Sequence, residues 1–128
     1  MKMTLINIYP AVTKAHYLLS SYVLKGYLDK YFSNTISLNV EVMNISNKTD
    51  PLEISKSIHK REPHIIGFSC YIWNIELVVD TINKLIDVSN FTYILGGPEI
   101  SLNRIKTLKI RSESAYFVIG EVYRVIFT

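Results

Sequence analysis

The chain reads as an α/β domain: a doubly wound, five-stranded parallel sheet in the order 2-1-3-4-5, with helices on both faces. Three observations predict it. Short β-rich runs alternate with helix-period runs along all 128 residues, and such alternation with short connections builds a parallel sheet between helix layers. The run His64 to Ser69 is almost continuously apolar, as a strand covered on both faces must be. The strand candidates end in small or polar residues, at Ser69, Gly96-Gly97 and Gly120. In open α/β sheets, ligands bind outside those carboxyl ends.

The elements follow in order. Thr4 to Tyr9 is a short β-rich run stopped by Pro10. From Ala15 the spacing turns helical, with Leu18, Leu19, Tyr22, Val23, Gly26 and Tyr27 on one face and Thr13 as a plausible N-cap. Ile36 to Met43 alternates apolar and polar residues, which suits a half-exposed strand near a sheet edge. Asp50-Pro51 signals a helix start, and that helix runs towards Arg61 and stops before Pro63.

His64 to Ser69 is the third strand. Ile75, Val78, Val79, Ile82, Leu85 and Ile86 give the clearest amphipathic helix in the chain. Thr92 to Leu95 is the fourth strand, ended by Gly96-Gly97-Pro98. Ile100 to Ile110 reads as a weaker helix, and Ala115 to Ile119 as a fifth strand ended by Gly120-Glu121. Five such strands suit the flavodoxin-like (Rossmann-like) order, in which the first and third strands meet at the switch point. The loops Tyr9 to His16 and Ser69 to Asn74 then flank the ligand crevice, with Gly96-Gly97 beside them.

Composition narrows the class. At this length one domain, residues 1–128, is expected, able to bury roughly two-thirds of its unfolded surface. Apolar residues make up 48% and charged residues 20%, the profile of an ordinary globular chain rather than a disordered one. The net charge of +3 is mild and the basic residues are scattered, which argues against nucleic acid as a partner. No apolar run reaches the length of a membrane span, and no signal-peptide pattern opens the chain. The single cysteine, Cys70, excludes an internal disulfide and fits a cytoplasmic location. After Gly120-Glu121 only residues 122–128 remain, too few for a closing helix and too apolar for a free tail. We therefore expect a piece of a longer protein.

Several residues are candidates for chemistry. Gly96-Gly97-Pro98 admits either a close backbone approach to a bulky ligand or a tight turn that needs a positive φ; the residues alone favour the turn. Ser69 either hydrogen-bonds a ligand or caps the next helix, and Tyr71 either shelters a ligand or packs at the core edge. Cys70 reads as a small buried hydrophobe rather than a nucleophile. His16, on the ligand side of the sheet, reads as a metal ligand or as a helix-end residue. His59 and His64 belong to the opposite end and read as solvent-side residues. Glu99 and Glu121 either do acid-base work or complement helix N-termini. A dinucleotide fingerprint and a Walker lysine loop are both missing. A phospho-acceptor receiver would end its third strand in Asp, where Ser69 stands.

Two stretches carry a resemblance: Pro63-His64-Ile65-Ile66-Gly67-Phe68-Ser69-Cys70-Tyr71-Ile72-Trp73-Asn74-Ile75-Glu76 and Ile94-Leu95-Gly96-Gly97-Pro98-Glu99-Ile100-Ser101. With Lys25-Gly26-Tyr27-Leu28 and Ala115 to Glu121, they resemble the N-terminal cobalamin-binding-like domain of the cobalamin-binding radical S-adenosylmethionine family. Full-length members are described as anaerobic Mg-protoporphyrin IX monomethyl ester cyclase-like or methyltransferase-like proteins. The resemblance implies a corrinoid (cobalamin) ligand held near Tyr9, Pro10, His16, Ser69, Cys70, Tyr71, Gly96, Gly97, Pro98, Gly120 and Glu121, with His16 as a lower ligand to cobalt. It also implies a radical S-adenosylmethionine barrel elsewhere, carrying a four-iron cluster and S-adenosylmethionine. That barrel needs C-x-x-x-C-x-x-C, which one cysteine cannot supply, so the chain alone is expected to be catalytically incomplete.

The chain departs from the pattern of methionine-synthase-type domains, D-x-H-x-x-G, then S-x-L, then a Gly pair. It keeps His16, Ser69 and Gly96-Gly97, lacks the Asp and Gly of the first motif, and has Tyr71 in place of Leu. The departure keeps a second reading open: a docking domain of the same fold that no longer binds cobalamin, with an exposed surface on which a homodimer is also conceivable. A third reading is a flavodoxin-like binder of a phosphate-bearing small molecule.

Overall fold

β1 (Lys2–Tyr9), β2 (Asn39–Ser46), β3 (Ile65–Ser69), β4 (Thr92–Gly96) and β5 (Ala115–Phe117) form one sheet in the computed structural model. Every pairing is parallel and the order is β2-β1-β3-β4-β5. The structure describes residues 1–10, 24–26, 28–30 and 38–119. Helical residues 24–26 and 28–30 (α1) lie between β1 and β2 in the chain. α2 (Pro51–Lys60), α3 (Ile75–Leu85) and the short α4 (Leu102–Ile105) follow β2, β3 and β4. The α/β order expected from the sequence is the one observed.

Strand alternation divides the core in two. Met3 and Leu5 of β1 pack with Leu24 and Leu28 of α1 and with Val40. Ile6 and Ile8 point the other way, among Ile54 and Ile58 of α2 and Val78, Ile82 and Leu85 of α3. A parallel strand between two helix layers must be apolar on both sides, which is why Met3 to Ile8 are all buried. Two polar members of that run find partners in register. Thr4 Oγ1 donates to Glu41 at 2.9 Å, and Asn7 Nδ2 donates to Asn44 Oδ1 at 3.1 Å.

α2 begins as its sequence requires. Asp50 Oδ1 accepts from the Leu52 N–H at 2.8 Å, and Pro51 occupies the first turn, where its missing N–H costs nothing.

Three expected boundaries shift. β2 covers Asn39–Ser46 rather than 36–43, because it pairs residue for residue with β1 from Lys2↔Asn39 to Tyr9↔Ser46. Met43 and Ile45 are buried on its second face. The helix expected over 100–110 shrinks to Leu102–Ile105. There the Thr107 and Leu108 amides bond back three residues, to Arg104 and Ile105, and the Thr107 hydroxyl also takes the Arg104 carbonyl. A β-branched side chain that bonds its own backbone competes with helix continuation. Ile105, Leu108 and Ile110 still pack on the core. β5 ends at Phe117 rather than Ile119, although the Val118 amide still donates to Leu95 at 2.9 Å. The expected N-cap Thr13 and the helix start at Ala15 lie outside the described residues.

Candidate functional site at the carboxyl end of the sheet

β1 and β3 separate before they end. They pair from Met3↔Ile65 to Ile6↔Phe68, while β1 continues beside β2 to Tyr9↔Ser46. This is the switch point of the sheet, where neighbouring connections leave in opposite directions and open a crevice. Asn74 fills the opening. Its Nδ2 donates to the Ile8 carbonyl at 3.1 Å and to the Ser69 carbonyl at 3.0 Å, and its Oδ1 accepts from the Tyr71 N–H at 2.8 Å. Asparagine suits the position because one side chain carries both donors and an acceptor. The residue is 1% exposed.

Trp73 shares an acceptor with this clamp. Its indole Nε1 donates to the Ile8 carbonyl at 3.1 Å. Its ring stacks on Tyr71, with centroids 4.4 Å apart and planes 7° from parallel. Trp73 remains 38% exposed and the neighbouring Ile72 80% exposed. Tyr9 and Pro10, at the end of β1, are half-buried.

The β4 side of the rim is built by backbone. The Cys70 N–H donates to the Gly96 carbonyl at 2.7 Å, and the Cys70 carbonyl accepts from the Glu99 N–H at 3.1 Å. Gly97 packs against this peptide with a φ of 105°. A Cβ there would lie 2.6 Å from the Cys70 oxygen. Both reasons for glycine are therefore internal to the fold: a turn with positive φ, and a close approach of chain to chain. Pro98 is exposed beside it.

Ser69 does not cap α3. The N-cap is Asn74, whose side chain faces back into the loop instead of towards the helix. The helix therefore starts without a side-chain cap, and the Asn74 amide instead spans the gap that the diverging strands leave. The Cys70 side chain is fully buried. Burial, with a smaller contribution from the Glu99 charge, pushes its thiol up to about 12. A thiol so poorly ionised is a packing group, not a nucleophile. Glu99 pairs with Arg104 at 3.5 Å.

The structure thus brings Ser69, Cys70 and Tyr71 together with Gly96, Gly97 and Pro98. Tyr9 and Pro10 stand at the end of the adjacent strand. His16, Gly120, Glu121 and the expected metal role of His16 lie outside the described residues. His59 and His64 are exposed, and His64 sits at the amino end, where its Nδ1 accepts from the Lys2 N–H at 3.0 Å. Asn74 is the residue that sequence reasoning passed over. Its signal was a lone polar residue between a strand end and an apolar helix start. Among the described residues no group of three or more His, Cys, Asp or Glu side chains gathers to hold a metal. No described helix is long and apolar enough to cross a membrane.

The rim is also the more apolar end. Of the eight large apolar side chains exposed among the described residues, Leu52, Ile72, Trp73, Leu102 and Ile119 all follow strand carboxyl ends. Ile72 and Trp73 are neighbours in the loop after β3.

No curated protein matches the chain. The family model described as the B12 binding domain matches residues 15–124, a span that includes β2 to β5 and every described helix. The chain therefore belongs to the B12-binding domain family.

Proposed function

We propose that this chain is the corrinoid-binding module of a radical S-adenosylmethionine enzyme and is catalytically incomplete by itself. The observation that carries the reading is the apolar, aromatic-faced rim at the carboxyl end of a 2-1-3-4-5 sheet in a chain of the B12-binding family. A corrin is a broad, flat and largely apolar ring, and the stacked Tyr71–Trp73 pair is a surface of matching shape and chemistry. The residues that would hold it are Tyr9, Pro10, Ser69, Tyr71, Gly96, Gly97 and Pro98, and, outside the described residues, His16, Gly120 and Glu121. His16 would be the cobalt ligand. When bound, the corrinoid supplies a cobalt centre able to carry an alkyl group. The chain's own residues bind it, orient it and keep water from one of its faces. The barrel with its four-iron cluster and S-adenosylmethionine would belong to the rest of the protein, and the exposed Ile72 and Leu102 suit contact with it.

One observation favours a second reading, a docking domain that has lost the cofactor: Asn74 already fills the space between β1 and β3. The test separates the two. The purified chain is mixed with hydroxocobalamin or methylcobalamin and passed through a desalting column, and its visible spectrum is recorded. Retained corrinoid supports the module. Loss of a histidine-ligated spectrum in His16→Ala assigns the cobalt ligand. No retention, by this chain and by any longer form that carries the barrel, supports the docking domain.

A further inference from the structure

The corrinoid reading requires a rim, but it does not say which side chain meets the ring. The switch point is where an open α/β sheet ordinarily admits its ligand. In this chain that gap is closed by Asn74, 1% exposed and bonded to both strand ends. A ligand cannot wedge between β1 and β3 without breaking those bonds. The part-exposed group bonded to the same Ile8 carbonyl is the Trp73 indole.

That indole is held in three ways. Its Nε1 is bonded to the Ile8 carbonyl at 3.1 Å, its ring is stacked on Tyr71 at 4.4 Å, and its chain neighbour is the buried Asn74. A tryptophan held at its polar edge and backed on one face has little rotamer freedom left to lose on binding. It is still 38% exposed. Partial exposure of an immobilised aromatic ring is the arrangement expected of a stacking platform.

We propose, resting on the corrinoid reading above, that Trp73 backed by Tyr71 is the platform on which the flat face of the corrin lies, and that Asn74 is the positioning residue that sets its height. Trp73 contributes the contact. Asn74 acts through it, by tying Ile8, Ser69 and Tyr71 to one another.

The test is a binding series on the whole chain with hydroxocobalamin, by titration calorimetry and retention. Trp73→Ala should weaken binding about tenfold or more, and Trp73→Phe, which keeps a ring, should stay within about threefold of wild type. Ile72→Ala, altering a neighbour that is more exposed but not stacked, should change little. A positional readout is available because the chain has a single tryptophan. The indole N–H proton resonance should shift on adding diamagnetic hydroxocobalamin, with the far-ultraviolet dichroism of all variants unchanged. If wild type binds and neither Trp73→Ala nor the indole resonance responds, the platform is overturned and the corrinoid reading stands. If Ile72→Ala weakens binding as much as Trp73→Ala, the contact is a general apolar patch and the platform is again overturned. If wild type does not bind, alone or in a longer form that carries the barrel, both fall together.

Discussion

The Asn74 amide nitrogen lies 3.1 Å from the carbonyl oxygen of Ile8, a residue 66 positions earlier in the chain. That bond joins the loop after β3 to the last buried residue of β1, across the point where the two strands have stopped pairing. Removing the side chain takes a donor from the Ile8 and Ser69 carbonyls and the acceptor from the Tyr71 N–H, and leaves Ile8 to the Trp73 indole. Asn74→Ala should therefore lower stability by about 2–3 kcal/mol, read as a shift in the urea midpoint with the slope unchanged. Asn74→Asp should cost more at neutral pH, because a buried carboxylate oxygen would face the Ile8 and Ser69 carbonyl oxygens, acceptor against acceptor.

Two glycines should respond in opposite ways to alanine. At Gly97 the φ of 105° and a Cβ position 2.6 Å from the Cys70 oxygen both oppose a side chain. Gly97→Ala should cost about 2 kcal/mol or more. At Gly26, in α1, an added Cβ meets nothing within 4 Å. Gly26→Ala should stabilise by about 0.5–1 kcal/mol. Thermal melts of the two variants, run side by side, check both signs.

Cys70 should be nearly inert in the folded protein. Its thiol, pushed up to about 12 first by burial and then by Glu99, is ionised at pH 8 in only about one molecule in ten thousand. Labelling with iodoacetamide should be slow in native buffer and rapid in denaturant. The ratio of the two rates measures how often the β3 end opens.

The amino end of the sheet should set part of the acid sensitivity. Burial pushes the Glu41 carboxyl up, but the Thr4 hydroxyl and the charges of Lys2 and Arg61 outweigh it, and the net position is below the ordinary value of 4.5. The Lys2 and Arg61 nitrogens stand 3.6 and 3.2 Å from its oxygens. A carboxyl depressed in the folded state binds fewer protons than it does unfolded. Its contribution is complete above about pH 4.5 and is lost as pH falls through the lowered folded value. Glu41→Gln should flatten the fall of stability in that window and leave the curve near neutrality parallel to wild type.

Much of the fold was legible because periodicity and burial agree where both faces of a strand are covered. His64 to Ser69 and the helix from Ile75 show it best, since most apolar residues there are buried and none is exposed. The misplaced β2 has a physical cause. The alternation of Leu38, Val40 and Val42 marks one face only, and the length of the strand comes from pairing with β1, which periodicity does not contain. α4 was overread because Ile105, Leu108 and Ile110 do face the core, but on a chain that turns at Thr107 rather than one that continues as a helix. At the site, Gly97 and Ser69 announced themselves as residue types suited to strand ends. Asn74 did not, because its importance depends on a gap between two strands whose members lie more than sixty positions apart.

Cys70 gives its amide to Gly96 and receives one from Glu99, so the lips that follow β3 and β4 share a single hinge. Moving either one away breaks a bond to the other. A visitor to that half of the rim meets a surface already frozen, and little entropy is left for it to remove. The amide protons of Cys70 and Glu99 should exchange with solvent slowly and at a common rate, as one door rather than two.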